Sequence, residues 1–111
     1  MVSPMSTVIE RVLAALNAHD LEAFVACYDP MATIEDGDDR ILARGHSEIR
    51  SRFGPMMQTY PALHVEPLGC WKVGAFVVQE EEVTGRAIES ERHIALYKLD
   101  GELILRERLL R

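Results

Sequence analysis

The apolar residues of this chain change their spacing at Tyr60-Pro61, and that change constrains the fold more than any other feature. Before it they recur every three or four positions. Ile9, Val12, Leu13 and Leu16 form one stripe, Leu21, Phe24, Val25 and Tyr28 a second, and Ile49, Phe53, Met56 and Met57 a third. This is the pattern of helices with one buried face. After it, ALHVEPLGCWKV, AFVVQEEEVTG, SERHIALYKL and ELILRERLL read as four strands, separated by Gly74, Gly85 and Asp100-Gly101. Asp-Gly between alternating runs is a hairpin signal, and Pro67 belongs at a bulge or a sheet edge. Local chemistry sharpens the helices. Ser3 before Pro4, and Thr7 with Glu10, are start signals for the first. Asp20 caps LEAFVACY, which Asp29-Pro30 stops. MATIED is a short strand, GDD a turn and RILAR a second short strand. Gly45 and Ser47 flank a third helix that bends at Gly54-Pro55. Helices followed by a run of antiparallel strands predict an α+β fold with the helices on one face of a sheet. With no repeat or boundary in sight, 1–111 reads as a single domain.

Charge and composition exclude several classes. Eighteen acids against twelve bases give a net charge of −6, which opposes a nucleic-acid or anionic-membrane surface. No apolar run approaches the ~20 residues of a membrane span. Cys27 and Cys70 sit in apolar surroundings without metal-type spacing and read as reduced core thiols. Without a secretory signal pattern, the expected compartment is the cytoplasm.

The stretch ATIEDGDDR concentrates four carboxylates: Glu35, Asp36, Asp38 and Asp39. Alternation puts Ala32, Ile34 and Asp36 on one strand face, the more plausible core face, and Met31, Thr33 and Glu35 on the other. Asp36 then ends an inward row. Two readings stand. It is a general base at a pocket mouth, made more basic by desolvation, or it closes an Asx-turn on the backbone. A calcium loop is excluded, because an EF-hand counted from Asp36 puts glycine at position 2 and Ser47 where glutamate is required. His46 and His64 lack a second ligand at metal spacing, so no metal site is expected.

VIERVLAALNAHDLEAFVACYDPMATIED, ARGHSEIRSRF, VTG and IALYKLDGELI occur in that order over nearly the whole chain. Together they resemble the SnoaL-like and ketosteroid-isomerase-like branch of the nuclear transport factor 2 superfamily. The resemblance implies a cone: three N-terminal helices on a curved, mixed, mainly antiparallel sheet, around a deep apolar cavity. Such domains often form homodimers through the outer sheet face. The branch contains isomerases, polyketide cyclases, dehydratases, epoxide hydrolases and non-enzymatic binding modules, so fold alone does not select a reaction. Asp36 falls on the position of the ketosteroid isomerase base. The tyrosine of that enzyme's oxyanion hole falls on Val12, and its protonated aspartate on or near Ala95. Both donors are absent, which argues against steroid isomerisation by that constellation.

SERHIALYKL supplies replacements. If Ala95 faces the cavity, so do His93 and Tyr97. A histidine exchanges protons near neutral pH, and a tyrosine donates a hydrogen bond. The plain reading is that Tyr97 packs in the core and His93 is half-exposed. Among Glu80, Glu81 and Glu82, Glu82 is taken as the inward one. Glutamate opposite His93 makes a charge-assisted pair, catalytic or merely satisfied. Val12, Tyr28, Phe53, Met57, Trp71, Val78, Glu82 and Ala95 are the expected cavity wall. The resulting expectation is cofactor-independent proton transfer, of isomerase, dehydratase or cyclase type, on a small apolar molecule. Asp36, His93 and Tyr97 are the catalytic candidates. The alternative is a non-catalytic ligand-binding or dimerisation module of the same fold.

Overall fold

A computed structural model describes residues 7–111, with Thr7 represented by its backbone alone. The start signals at Ser3, Pro4 and the Thr7 side chain lie outside the described residues. The elements run α1 (Thr7–Asn17), α2 (Leu21–Val25), β1 (Tyr28–Asp36), β2 (Ile41–Arg44), α3 (Gly45–Thr59), β3 (His64–Val73), β4 (Phe76–Thr84), β5 (Glu91–Asp100) and β6 (Leu103–Leu110). The strands form one sheet in the order β2-β1-β6-β5-β4-β3. β1 and β6 are parallel and the other neighbours antiparallel. The helical stripes meet this sheet in one core, where Ile9, Val12, Ile34, Ile49, Val77 and Ile104 are almost wholly shielded from solvent.

The turn between α1 and α2 is built by three polar side chains of LNAHD. Asn17 donates to the Val65 carbonyl at 3.0 Å and accepts from the Val65 amide at 2.8 Å. It thus ties the end of α1 to β3 through both backbone groups of one residue. His19, at φ 57°, places its ring nitrogens 3.1 Å from the carbonyls of Met57 and Leu63. Asp20 caps α2 by accepting from the Ala23 amide, satisfying one of the helix's free donors.

The second helix is shorter than its apolar stripe predicts. It ends at Val25, and Tyr28 opens β1 instead of closing α2. Pro30 has no amide hydrogen and keeps the preceding residue extended. β6 then offers the chain a partner, with Ile104 donating to the Cys27 carbonyl. Pro55 lies inside α3. Pro67 sits on edge strand β3, beside a register shift between Pro67 and Gly69, as its missing donor requires. Cys27 and Cys70 are both free thiols, the first buried and the second half-buried. Among the described residues, no helix is long and apolar enough to cross a membrane.

Candidate functional site

Alternation along β4 decides which carboxylate turns inward. Val77, Gln79, Glu81 and Val83 are buried, whereas Val78, Glu80 and Glu82 face the other side. Glu81 therefore takes the inward place expected of Glu82. The outer Glu82 and Glu80 instead approach Arg92, each at 3.9 Å. The same parity moves two expected wall residues to the outer face. Val78 pairs in register with Trp71, and Trp71 is 60% exposed. Val77 and Val78 are both apolar, so the sequence does not mark which of them is in phase with the core.

β5 brings His93, Ala95 and Tyr97 onto the inner face as expected, with His93 opposite Glu81. His93 Nε2 lies 2.7 Å from Glu81 Oε1. The Tyr97 hydroxyl donates to Glu81 Oε2 at 2.7 Å, and Gln79 donates to the same oxygen at 2.7 Å. One carboxylate thus gathers an imidazole, a phenol and an amide. A neutral imidazole that donates Nε2–H to Glu81 keeps its lone pair on Nδ1.

A second carboxyl group completes the cluster. Glu107 stands beside Tyr97 in the β5–β6 register and accepts from the Tyr28 hydroxyl at 2.6 Å. Burial pushes the Glu107 carboxyl up to about 8, the nearby Glu81 adds to the rise, and the Tyr28 bond opposes it. At neutral pH this group is largely protonated and is itself a hydrogen-bond donor. Burial, with the adjacent glutamates, also holds the Tyr28 and Tyr97 hydroxyls well above their usual range, and both stay protonated. Glu107 was not marked by any motif, yet a signal exists: Arg106 and Arg108 bracket it. Two outward arginines place the residue between them on the opposite face.

Glu81, His93, Tyr97 and Glu107 line an interior cavity of about 90 Å³, whereas Gln79 lies outside its wall. Val12, Leu16, Phe24, Tyr28, Phe53, Met56 and Val83 supply much of its remaining wall. Val12, Tyr28 and Phe53 stand where the sequence placed them. Met57 and Ala95 are buried, but Met56 rather than Met57 reaches the wall and Ala95 packs in the core. Arg52, Arg86 and Arg111 stand in the wall as well. Arg86 is held by Glu91 through two bonds of 2.9 Å.

Asp36 lies elsewhere. Ala32 and Ile34 are fully buried as alternation predicts, but Asp36 ends the strand and turns onto its own loop. Its Oδ1 accepts from the amides of Asp38 at 2.8 Å and Arg40 at 3.0 Å, and Arg40 Nε lies 3.1 Å from Oδ2. The Arg40 amide first, then the other bonds, hold its carboxyl below the usual range. This is the Asx-turn arrangement. Asp36 lines an open groove of about 520 Å³, not the interior cavity. Glu35 points to the opposite face and is 3% exposed. Arg106 Nε at 2.6 Å and Arg108 Nη2 at 2.8 Å hold its carboxyl down at about 2. Among the described residues, no group of three His, Cys, Asp or Glu side chains has the geometry to hold a metal ion.

Solved structures share this architecture. An uncharacterised cystatin-fold protein from Novosphingobium aromaticivorans superposes with a TM-score of 0.90 at 21% identity, covering 99% of this chain and 100% of its own. A putative polyketide cyclase from Sinorhizobium meliloti gives 0.81 at 18%, covering 93% of each chain. A putative SnoaL-like polyketide cyclase from Shewanella putrefaciens gives 0.78 at 14%, covering 99% of this chain and 90% of that one. At these identities the likeness is one of fold. No curated protein matches the sequence. The profile of the SnoaL-like domain matches residues 9–107, and the chain belongs to that family, with the α+β fold of the nuclear transport factor 2 superfamily.

Proposed function

We propose that this protein catalyses cofactor-independent proton transfer on a small molecule in the interior cavity, as an isomerase, dehydratase or cyclase. The observation that carries the reading is the convergence of His93, Tyr97 and Gln79 on Glu81, beside the raised Glu107. His93, oriented by Glu81, is the base that removes a carbon-bound proton. Protonated Glu107 is the acid for the oxygen on which negative charge develops, while the Tyr97 hydroxyl, already hydrogen-bonded to Glu81, holds that carboxylate in place. Glu107 thus supplies a donor that the positions of Val12 and Ala95 lack. The desolvated wall strengthens each of these interactions. Asp36 has no catalytic part in this scheme, because its oxygens are engaged by the turn.

Nitrobenzisoxazole tests the reading without knowledge of the natural substrate. A base removes one C–H proton, the N–O bond breaks with its electron pair passing to the phenolate oxygen, and a nitrile forms. We expect the protein to accelerate this ring opening, and His93→Asn to reduce the acceleration about 100-fold. Asp36→Asn, which keeps the turn's acceptor, should stay within about twofold. Loss of rate in Asp36→Asn with His93→Asn unaffected would return the base to Asp36. No acceleration at all would favour the binding module. One observation supports that second reading: every buried side-chain polar atom among the described residues already has a partner.

A further inference from the structure

Charge is divided between the depth of the cavity and its mouth. Glu81 and the protonated Glu107 stand in the wall of the interior, and neither offers an anion a positive charge. Arg52 on α3 and Arg111 after β6 stand in the walls of both the interior cavity and the open groove, together with Leu109. These shared residues stand where the two hollows adjoin.

Most arginines of this acidic chain are paired. Arg40, Arg50, Arg86, Arg92, Arg106 and Arg108 each lie within 4.0 Å of a carboxylate. Among the described residues, neither the Arg52 nor the Arg111 side chain makes an ion pair or a hydrogen bond, and both are exposed. The field of Arg111 does reach Glu91, but Glu91 is already bound by Arg86. Asp36 and Asp38 stand on another part of the groove wall, which keeps an anion on the arginine side.

Volume points the same way. Pockets that enclose a whole drug-sized molecule run to roughly 300–1,000 Å³. The interior holds about 90 Å³ and the groove about 520 Å³. A drug-sized ligand that reaches the acid cluster therefore lies in two parts, one inside and one in the groove. We infer that the substrate is amphipathic: an uncharged, apolar end enters the cavity, and an anionic oxygen group, carboxylate or phosphate-like, stays at the mouth against Arg52 and Arg111. This rests on the reading of the cavity as the substrate site and adds the polarity of what it takes. Guanidinium pairs well with such oxygens because its donors match their spacing.

Three probes with one hydrocarbon chain test it: hexanoate, hexylphosphonate and the neutral hexanamide. Binding is followed through the backbone amide signals of Val83, in the cavity wall, and Leu109, where the hollows adjoin. We expect at least one anionic probe to bind about tenfold more tightly than hexanamide. The larger of the two advantages identifies the group. Arg52→Met combined with Arg111→Met should bring the anions to within about twofold of hexanamide, with the amide spectrum of the free variant reporting an intact fold. Equal affinities in the unmodified protein, or an anion preference that survives the double substitution, would overturn the inference and leave the cavity reading standing. If no probe moved the Val83 signal, both would fall.

Discussion

Three glutamates in this fold show how strongly surroundings set the state of one functional group. Glu35 lies under Arg106 and Arg108 and stays ionised, with its carboxyl held at about 2. Glu107 faces the apolar cavity, where burial raises its carboxyl to about 8. Glu81 gathers three donors in the same wall. The first two have opposite consequences for stability. Glu35 binds its proton less readily in the folded chain than in the unfolded one. Its contribution is present above the usual carboxylate range and is lost as pH falls toward 2. Glu107 binds its proton more readily when folded. Its contribution is full below the usual range of about 4.5 and declines as pH rises through about 8. The decline approaches about 1.4 kcal/mol per pH unit within that window. Glu107→Gln removes the titration and keeps an acceptor for Tyr28. Urea denaturation at a series of pH values should therefore show a flatter alkaline limb for this variant, while its acid limb is unchanged.

Elements in this protein are held by a few residues whose backbone roles are fixed. Gly85 follows β4 at φ 80°, and a Cβ there would lie 2.0 Å from the Ala62 carbonyl oxygen. Gly101, in the β5–β6 hairpin at φ 62°, has nothing within 4 Å of that position. Gly85→Ala should cost on the order of 3 kcal/mol from strain and clash together. Gly101→Ala should cost about 1 kcal/mol from backbone strain alone. Chemical denaturation of the two variants measures the contrast. Much of the element plan was legible in the sequence, because period 2 prevails after Tyr60-Pro61, period 3.6 marks the helices before it, and glycine marks the turns. The candidate site was legible only in part. His93 and Tyr97 follow from the phase of Ala95. Glu81 was hidden because Val77 and Val78 are equally apolar, so two adjacent phases of β4 compete. Asp36 has the inward phase, but a strand's last residue is free to bend onto the following turn. In LNAHD, the segment after α1, Asn17 and His19 bond backbone more than forty residues away in sequence, which no local pattern predicts.

At the scale of the whole molecule, the sheet buries one face in the core and leaves apolar side chains exposed on the other. Trp71, Val73, Phe76 and Ile94 are all exposed, and Trp71, Val78 and Leu96 follow one another in register across β3, β4 and β5. We propose that a second copy of the chain covers this face, since a contiguous apolar surface of this kind is the usual core of an interface. Trp71→Lys with Ile94→Lys should convert a dimer to a monomer in sedimentation velocity without loss of secondary structure. An unchanged sedimentation coefficient would place the contact elsewhere. The polar groups lie on the inner face, so dimerisation leaves their surroundings unaltered. The central claim is that the chemistry resides in this inner cluster and not at Asp36. Carbon-detected NMR titration of the side-chain carboxyls tests it most directly. We expect Glu107 to titrate near 8, to move higher still in Tyr28→Phe, and Asp36 to titrate below its usual range. A Glu107 that titrates as an ordinary surface glutamate, with Asp36 shifted upward instead, would contradict it.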